Sequence, residues 1–307
     1  MSISDRDGFI WQDGKMLDWR EAGTHVLTHT LHYGAGVFEG VRAYDGNLGT
    51  TIFRLQDHTE RLFKSAKIIG MNIPFSAEEL NQAQIDVVKS NNFSSCYIRP
   101  MCFYGSQNMG LNAENLQTHC IVAAWEWDAY HGKENLEHGI RVKVSSYTRH
   151  HVNSSLCKAK VNGHYVNSLL AVQEANKQGY NEALILDING FVAEGSTENI
   201  FIVKDETLYT PELTSVLDGI TRKTIIHLAE IKGIPVVEKQ ITRDEVYIAD
   251  EAFFTGTAAE VTPIKELDHC VIGAGTRGPI TKYLQQEYFN LVQGKNDEYH
   301  HWLTPVS

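Results

Sequence analysis

Several features that mark whole functional classes are missing from this 307-residue chain. It has no block of lysines and arginines and carries a net charge of −11. Nucleic acid is therefore not an expected partner, because that binding depends on concentrated positive charge. No segment approaches the roughly 18 continuous apolar residues of a membrane span. The opening Met-Ser-Ile-Ser-Asp-Arg-Asp lacks the basic-then-apolar order of an export signal. A cytoplasmic protein without a membrane partner is expected. Only five cysteines occur (Cys96, Cys102, Cys120, Cys157 and Cys270), scattered and without a Cys-x-x-Cys spacing. That pattern argues against a disulfide framework or a zinc ribbon and for thiols in a reducing compartment. The adjacent pairs His150-His151 and His300-His301 point apart on a strand, and no His-Glu-x-x-His is present, so no metal is expected. Repeats and low-complexity tracts are absent as well.

What is present reads as a globular chain of 42% hydrophobic and 21% charged residues, long enough for two cores. Phe9 to Leu17 predicts a hairpin turning at Asp13-Gly14. Asp57-His-Thr-Glu60 and Ser76-Ala-Glu-Glu79 are capping boxes, each followed by apolar residues at helical spacing. Cys96 to Tyr104 and Cys120 to Trp125 read as strands. The polar, glycine-containing stretch 128–137 suits a link between a domain over 1–127 and another over 138–307. In the second half, strands are expected at Ile140 to Ser145, Ala183 to Leu186 and Asn199 to Val203. Helices are expected from Val166 to Gly179 and from about Thr221 to Gly233, with a hairpin turn at Asn189-Gly190. This irregular order of strands and helices favours α+β over a doubly wound sheet.

Chemistry is suggested first by Lys160, set among small and apolar residues in Cys157-Lys-Ala-Lys-Val-Asn-Gly-His-Tyr165. An ammonium in such a setting is costly unless paired, deprotonated or converted. A Schiff base with an aldehyde is the common conversion, and it points to pyridoxal phosphate. Lys158 competes for the role, since an extended segment puts both lysines on one face. The cofactor also needs a phosphate cradle, an acid at its ring nitrogen and a group that orients the ring. Leu217-Asp-Gly-Ile-Thr-Arg222 offers backbone N–H groups at a helix start, a natural anion site that is more often just a cap. Glu194-Gly-Ser-Thr-Glu-Asn199 offers carboxylates, and Thr255-Gly-Thr-Ala-Ala-Glu260 a loop of small residues. Tyr97 and Arg99 share one face of a strand, and a partly buried arginine demands an anionic partner. Gly34-Ala-Gly36-Val-Phe-Glu-Gly40 lacks the strand–turn–helix context of a nucleotide fingerprint.

Taken together and in order, Tyr33 to Arg42, His58-Thr-Glu-Arg61, Tyr97-Ile-Arg-Pro100, Lys158 to Tyr165, Glu194 to Asn199, Gly219-Ile-Thr-Arg222 and Gly256-Thr-Ala-Ala-Glu260 closely resemble the bacterial branched-chain amino-acid aminotransferases of PLP fold type IV. The resemblance runs from about residue 8 to the closing Trp-Leu-Thr-Pro-Val306. It implies a two-domain α+β fold like that of the D-amino-acid aminotransferases, pyridoxal 5'-phosphate as cofactor, and ping-pong transfer from leucine, isoleucine or valine to 2-oxoglutarate. It also implies that Lys160, rather than Lys158, is the Schiff-base lysine, with Tyr165 at the ring's phenolic oxygen and Glu194 at its nitrogen. Arg61, Ile220, Thr221 and Thr257 are implied to hold the phosphate, and Leu217 to pack on the ring. Phe38, Arg42, Tyr97, Trp127 and Ala259 belong to the implied substrate pocket, with Thr257 and Ala258 receiving the α-carboxylate. Arg99, with Tyr33 and Leu111 of a neighbouring subunit, is implied to accept a side-chain carboxylate. That arrangement implies a homodimer at minimum, with a trimer of dimers as an extension. Asp218 and His164 depart from the residues common in the family. D-amino-acid and (R)-amine transaminases of the same fold type are the near alternatives, and a non-catalytic PLP-binding scaffold is the alternative of another class.

Overall fold

The computed structural model describes residues 2–128 and 130–306, which form two compact units. The first comprises 1–127, 159–164 and 291–307, and the second 128–158 and 165–290. The opening stretch of the first unit ends at Trp127. Two later segments expected in the second domain belong instead to the first. The reason is pairing: Leu303–Pro305 adds an antiparallel strand to Gly49–Phe53, and Val161 bridges Val37. The stretch 128–137 is part of the second unit and includes the start of the short helix Asn135–His138.

In the first unit an eight-stranded sheet runs, in spatial order, Leu303–Pro305, Gly49–Phe53, Val41–Gly46, Cys96–Tyr104, Thr118–Trp125, Phe9–Gln12 and Lys15–Asp18, with Gly36–Phe38 also pairing Cys96–Tyr104. The hairpin at Asp13-Gly14 forms as expected, both residues taking positive φ. Helices Leu55–Ile68 and Ala77–Ser90 supply Leu62, Ala66, Leu80, Ala83 and Val87 to the core built on this sheet. Ser76 and Glu79 make the expected reciprocal capping box. Asp57 does not cap. The helix starts at Leu55, and Asp57 pairs with Arg54 at 2.6 Å. Arg54 is itself fixed by its N–H donating to the Trp302 carbonyl and by stacking on the Trp302 ring. A tertiary contact therefore moves the helix start ahead of the local signal.

The second unit holds a nine-stranded sheet ordered Val192–Gly195, Glu182–Leu186, Ile140–Thr148, Glu260–Leu267, Glu251–Gly256, Asn199–Lys204, Thr207–Thr210 and Val236–Glu238, with Cys270–Val271 beside Glu260–Leu267. Parallel and antiparallel pairs mix, as the irregular order of elements implies. Helix Tyr165–Lys177 packs on Ile140–Thr148 and Glu182–Leu186, burying Ala171 and Ala175. Helix Ile220–Lys232 ends on Gly233 in the left-handed region, where glycine carries no Cβ penalty. No helix of the described residues is long and apolar enough to cross a membrane.

Candidate active site

In the first unit, the end of strand Gly36–Phe38 and the helix Leu55–Ile68 meet at Glu39. His58 and Arg61, three apart, lie on one helical face. Arg61 donates from Nε and Nη2 to the two Glu39 oxygens at 2.6 and 2.8 Å, and His58 Nδ1 reaches Glu39 at 2.8 Å. Glu39 is fully buried. Burial pushes its pKa up, but the Arg61 charge and hydrogen bonds outweigh that and hold the carboxyl below the usual range. Burial pushes the His58 imidazole down despite Glu39.

Lys160 is tied to the same two elements. Its carbonyl accepts from the Phe38 N–H at 3.1 Å, and its N–H donates to Ser65 Oγ at 3.0 Å. Nζ lies 4.9 Å from the Phe38 ring centre. Lys158, in contrast, belongs to the second unit and donates to the Val216 carbonyl at 3.1 Å. The segment between the two lysines turns instead of extending, so the shared face expected from alternation does not form.

Around Phe38 the first unit builds an apolar wall that carries Arg99. The Arg99 guanidinium lies 4.7 Å from the Phe38 ring centre and 5.4 Å from that of Tyr97. Its Nη2 is 3.4 Å from the Tyr97 hydroxyl, while Nε is buried without a hydrogen-bond partner. Tyr97 meets Trp127 edge to face, and Arg42 Nη2 donates to the Trp127 carbonyl at 2.8 Å. Arg42 thus fixes the Trp127 main chain. Tyr33 is partly exposed, with its hydroxyl on the Met109 carbonyl, and Leu111 is 80% exposed. The same unit brings together Lys160, Arg61, Phe38, Tyr97, Arg99, Arg42 and Trp127.

The second unit assembles the acid and a cradle. Glu194 lies near the end of the buried strand Val192–Gly195, with Oε1 2.7 Å from Arg149 Nη2 and Oε2 accepting the Leu217 N–H at 3.3 Å. Both side chains of the Arg149–Glu194 pair are under a tenth exposed, so Glu194 is not a solvated turn carboxylate. Asn199 Nδ2 donates to the Leu217 carbonyl at 3.0 Å, which sets the loop that leads into helix Ile220–Lys232. Gly219 is that helix's N-cap and provides no side-chain hydrogen bond, and a Cβ there would fall 1.9 Å from Asn199 Oδ1. Only glycine lets the Ile220 and Thr221 end of the helix sit against Asn199. Asp218, one residue earlier, pairs with Lys223 at 2.5 Å.

Thr257, Ala258 and Ala259 make the three-residue loop between strands Glu251–Gly256 and Glu260–Leu267. The Thr255 hydroxyl just before it is buried without a hydrogen-bond partner. Tyr165 opens helix Tyr165–Lys177, and His164 closes the preceding helical turn Asn162–His164.

Sequence reasoning missed two groups, Glu39 and Arg149. Glu39 carried a signal, a carboxylate among Val-Phe and Gly-Val, whereas Arg149 carried none.

In the second unit, a glycine-only helix start with no side-chain cap, a buried orphan hydroxyl beside the small-residue loop and an acid clamped by an arginine suit a phosphate and a ring nitrogen, and in the first unit a lysine held at its main chain suits an aldehyde. Comparison with known proteins agrees. Residues 36–267 match the model of the family described as amino-transferase class IV. The branched-chain-amino-acid aminotransferase of Pseudomonas aeruginosa is 62% identical over 306 residues, covering 100% of both chains. The crystal structure of the branched-chain amino acid aminotransferase of T.th. with pyridoxamine 5'-phosphate superposes with a TM-score of 0.96 at 47% identity, covering 98% of this chain and 99% of that one. The same enzyme complexed with N-(5'-phosphopyridoxyl)-L-glutamate gives 0.94 at 46% identity, again covering 98% and 99%. The chain belongs to the class IV aminotransferases, among the branched-chain amino-acid aminotransferases.

Proposed function

We infer that this chain transfers the amino group of L-leucine, L-isoleucine or L-valine to 2-oxoglutarate, with pyridoxal 5'-phosphate as carrier. One observation carries the reading: a buried carboxylate, Glu194, is fixed by Arg149 and the Leu217 N–H in a chain 62% identical throughout to a branched-chain aminotransferase. The T.th. relative is seen with pyridoxamine 5'-phosphate in one crystal structure and with N-(5'-phosphopyridoxyl)-L-glutamate in another. When bound, the cofactor supplies an electron sink for the charge left at the substrate Cα.

Each residue then has a task. Lys160 Nζ would hold the cofactor and would move the proton from the substrate Cα. Glu194 would face the ring nitrogen, and Arg149 orients Glu194 through their 2.7 Å contact. Tyr165 hydrogen-bonds the phenolic oxygen, while Leu217 packs on the ring. The Ile220 and Thr221 N–H groups, the Thr257 hydroxyl and Arg61 hold the phosphate, and Glu39 aims Arg61 through two hydrogen bonds. Thr257 and Ala258 N–H groups receive the substrate α-carboxylate. Phe38, Tyr97, Trp127 and Ala259 receive the apolar side chain, with Arg42 behind Trp127 and Arg99 at the edge for the glutamate carboxylate.

Tyr33 and Leu111 are exposed apolar side chains, as are Val26, Leu27 and Leu31 nearby in the chain. Their exposure supports a homodimer in which each subunit lends Tyr33 and Leu111 to the other. Five free thiols suit a cytoplasmic setting.

The reading is tested by following glutamate formation from 2-oxoglutarate with each amino donor. Turnover with L-leucine, L-isoleucine and L-valine and none with D-alanine is expected. Turnover with D-alanine or an (R)-amine alone would overturn it.

A further inference from the structure

One cluster of ligand-type side chains in the second unit has no part in the chemistry above. His131 precedes the short helix Asn135–His138, Glu182 opens strand Glu182–Leu186, and Glu198 precedes strand Asn199–Lys204. Their ligand atoms all lie within 4.8 Å of one another. The side chains of His131 and Glu198 are 7% and 2% exposed, and Glu182 is 1% exposed. His131 Nε2 stands 3.2 Å from Glu198 Oε1, while Glu198 Oε2 is buried without any hydrogen-bond partner. Among the described residues neither carboxylate is paired with a lysine or arginine. Two buried carboxylates thus face one imidazole. The sequence offers no metal motif here because the three residues come from separate segments.

We propose that His131, Glu182 and Glu198 form a binding site for one divalent first-row transition cation, with zinc as the representative ion. The donor chemistry is right: one imidazole nitrogen and two carboxylates suit zinc or manganese. One imidazole and two buried carboxylates without a lysine or arginine partner make a donor set that a divalent ion can serve. The spacing is close. Ligands about 2.0–2.2 Å from a tetrahedral zinc stand about 3.3–3.6 Å apart, and His131 and Glu198 are already at 3.2 Å. Small side-chain rotations bring in Glu182, and Glu198 Oε2 gains the partner it lacks.

Outer contacts already hold the ligands, as metal sites require. The Ala183 N–H donates to Glu182 Oε1 at 2.6 Å, and Asn135 Nδ2 donates to the His131 carbonyl at 2.7 Å. The site's role is structural. A bound ion ties the segment around His131 to two strands of its own unit, and the proposal stands independently of the transaminase reading.

The test uses the purified, cofactor-loaded protein after treatment with a chelator. Zinc chloride is titrated in competition with a zinc indicator, and bound metal is counted by mass spectrometry after dialysis. One tight equivalent is expected. His131→Ala is expected to weaken it about tenfold or more, and Glu182→Gln likewise. Circular dichroism and the cofactor absorbance verify that each variant remains folded. If burial makes Glu182→Gln unstable, His131→Ala alone decides, because His131 comes from a connecting segment. No tight equivalent would overturn the proposal. So would an equivalent unchanged in His131→Ala, which would place the ion elsewhere, such as His150-His151 or His300-His301.

Discussion

Arg99 and Glu39 show how single side chains divide the work. Arg99 lies against the rings of Phe38, Tyr97 and Trp125 at once. A pocket used for both leucine and glutamate needs a cation that an apolar side chain can ignore. Arg99→Ala should therefore lower kcat/KM for glutamate and 2-oxoglutarate about 100-fold, in line with about 3 kcal/mol for a charge-assisted contact, and spare leucine by comparison. Equal losses would contradict the assignment. Glu39 acts differently, on the fold. Removing one partner of a buried ion pair costs about 3–5 kcal/mol, so Glu39→Ala should lower stability by that order in urea unfolding at pH 7.

The pH dependence of that cost has a fixed sign. Glu39's folded pKa lies below its unfolded value, about 4.3, so its stabilisation is full above that value and lost as pH falls towards the folded one. The gap between wild type and Glu39→Ala should be widest near neutrality and narrow below about pH 4. A gap independent of pH would contradict the ion-pair account. His58 adds in the same direction. Its folded pKa is depressed, so acid favours the unfolded chain, in which the ring binds its proton freely.

At the scale of elements, the helix Ala77–Ser90 is stabilised by a local device and the helix Leu55–Ile68 by a distant one. Ser76→Ala removes the hydroxyl that accepts the Glu79 N–H and should cost about 1 kcal/mol. Thermal or urea unfolding checks this, and kcat should stay unchanged because Ser76 touches none of the site residues. The contrast explains what was legible in the sequence. Ser76-Ala-Glu-Glu79 was, because its partners lie three residues apart. Asp57-His-Thr-Glu60 was misleading, because Trp302 decides where that helix begins. Strand Cys96–Tyr104 matches its expected bounds, since its apolar run has turns on both sides. Glu39 and Arg149 escaped because their partners, Arg61 and Glu194, are neighbours only after folding.

For the molecule as a whole, the order of Lys160 and Glu194 in the sequence carries no sign of the structural unit each belongs to. Lys160 lies in a segment that crosses from the second half of the chain into the first unit, where Val161 bridges Val37. Composition marks a linker near 128 but gives no sign that residues 159–164 and 291–307 return to the first unit, because strand pairing between distant segments leaves no local trace. The same limit hid His131, Glu182 and Glu198, which only the folded second unit draws together.

The central claim is that Lys160 and Glu194 serve one cofactor in transamination of branched-chain L-amino acids. The most direct measurement is a half-reaction on purified protein: record the visible band of the lysine-bound cofactor, then add L-leucine with no oxo acid present. The account predicts that the yellow band gives way to pyridoxamine phosphate absorbance and returns when 2-oxoglutarate is added. A yellow band that L-leucine leaves unmoved, or no yellow band even after pyridoxal phosphate is supplied, would contradict it.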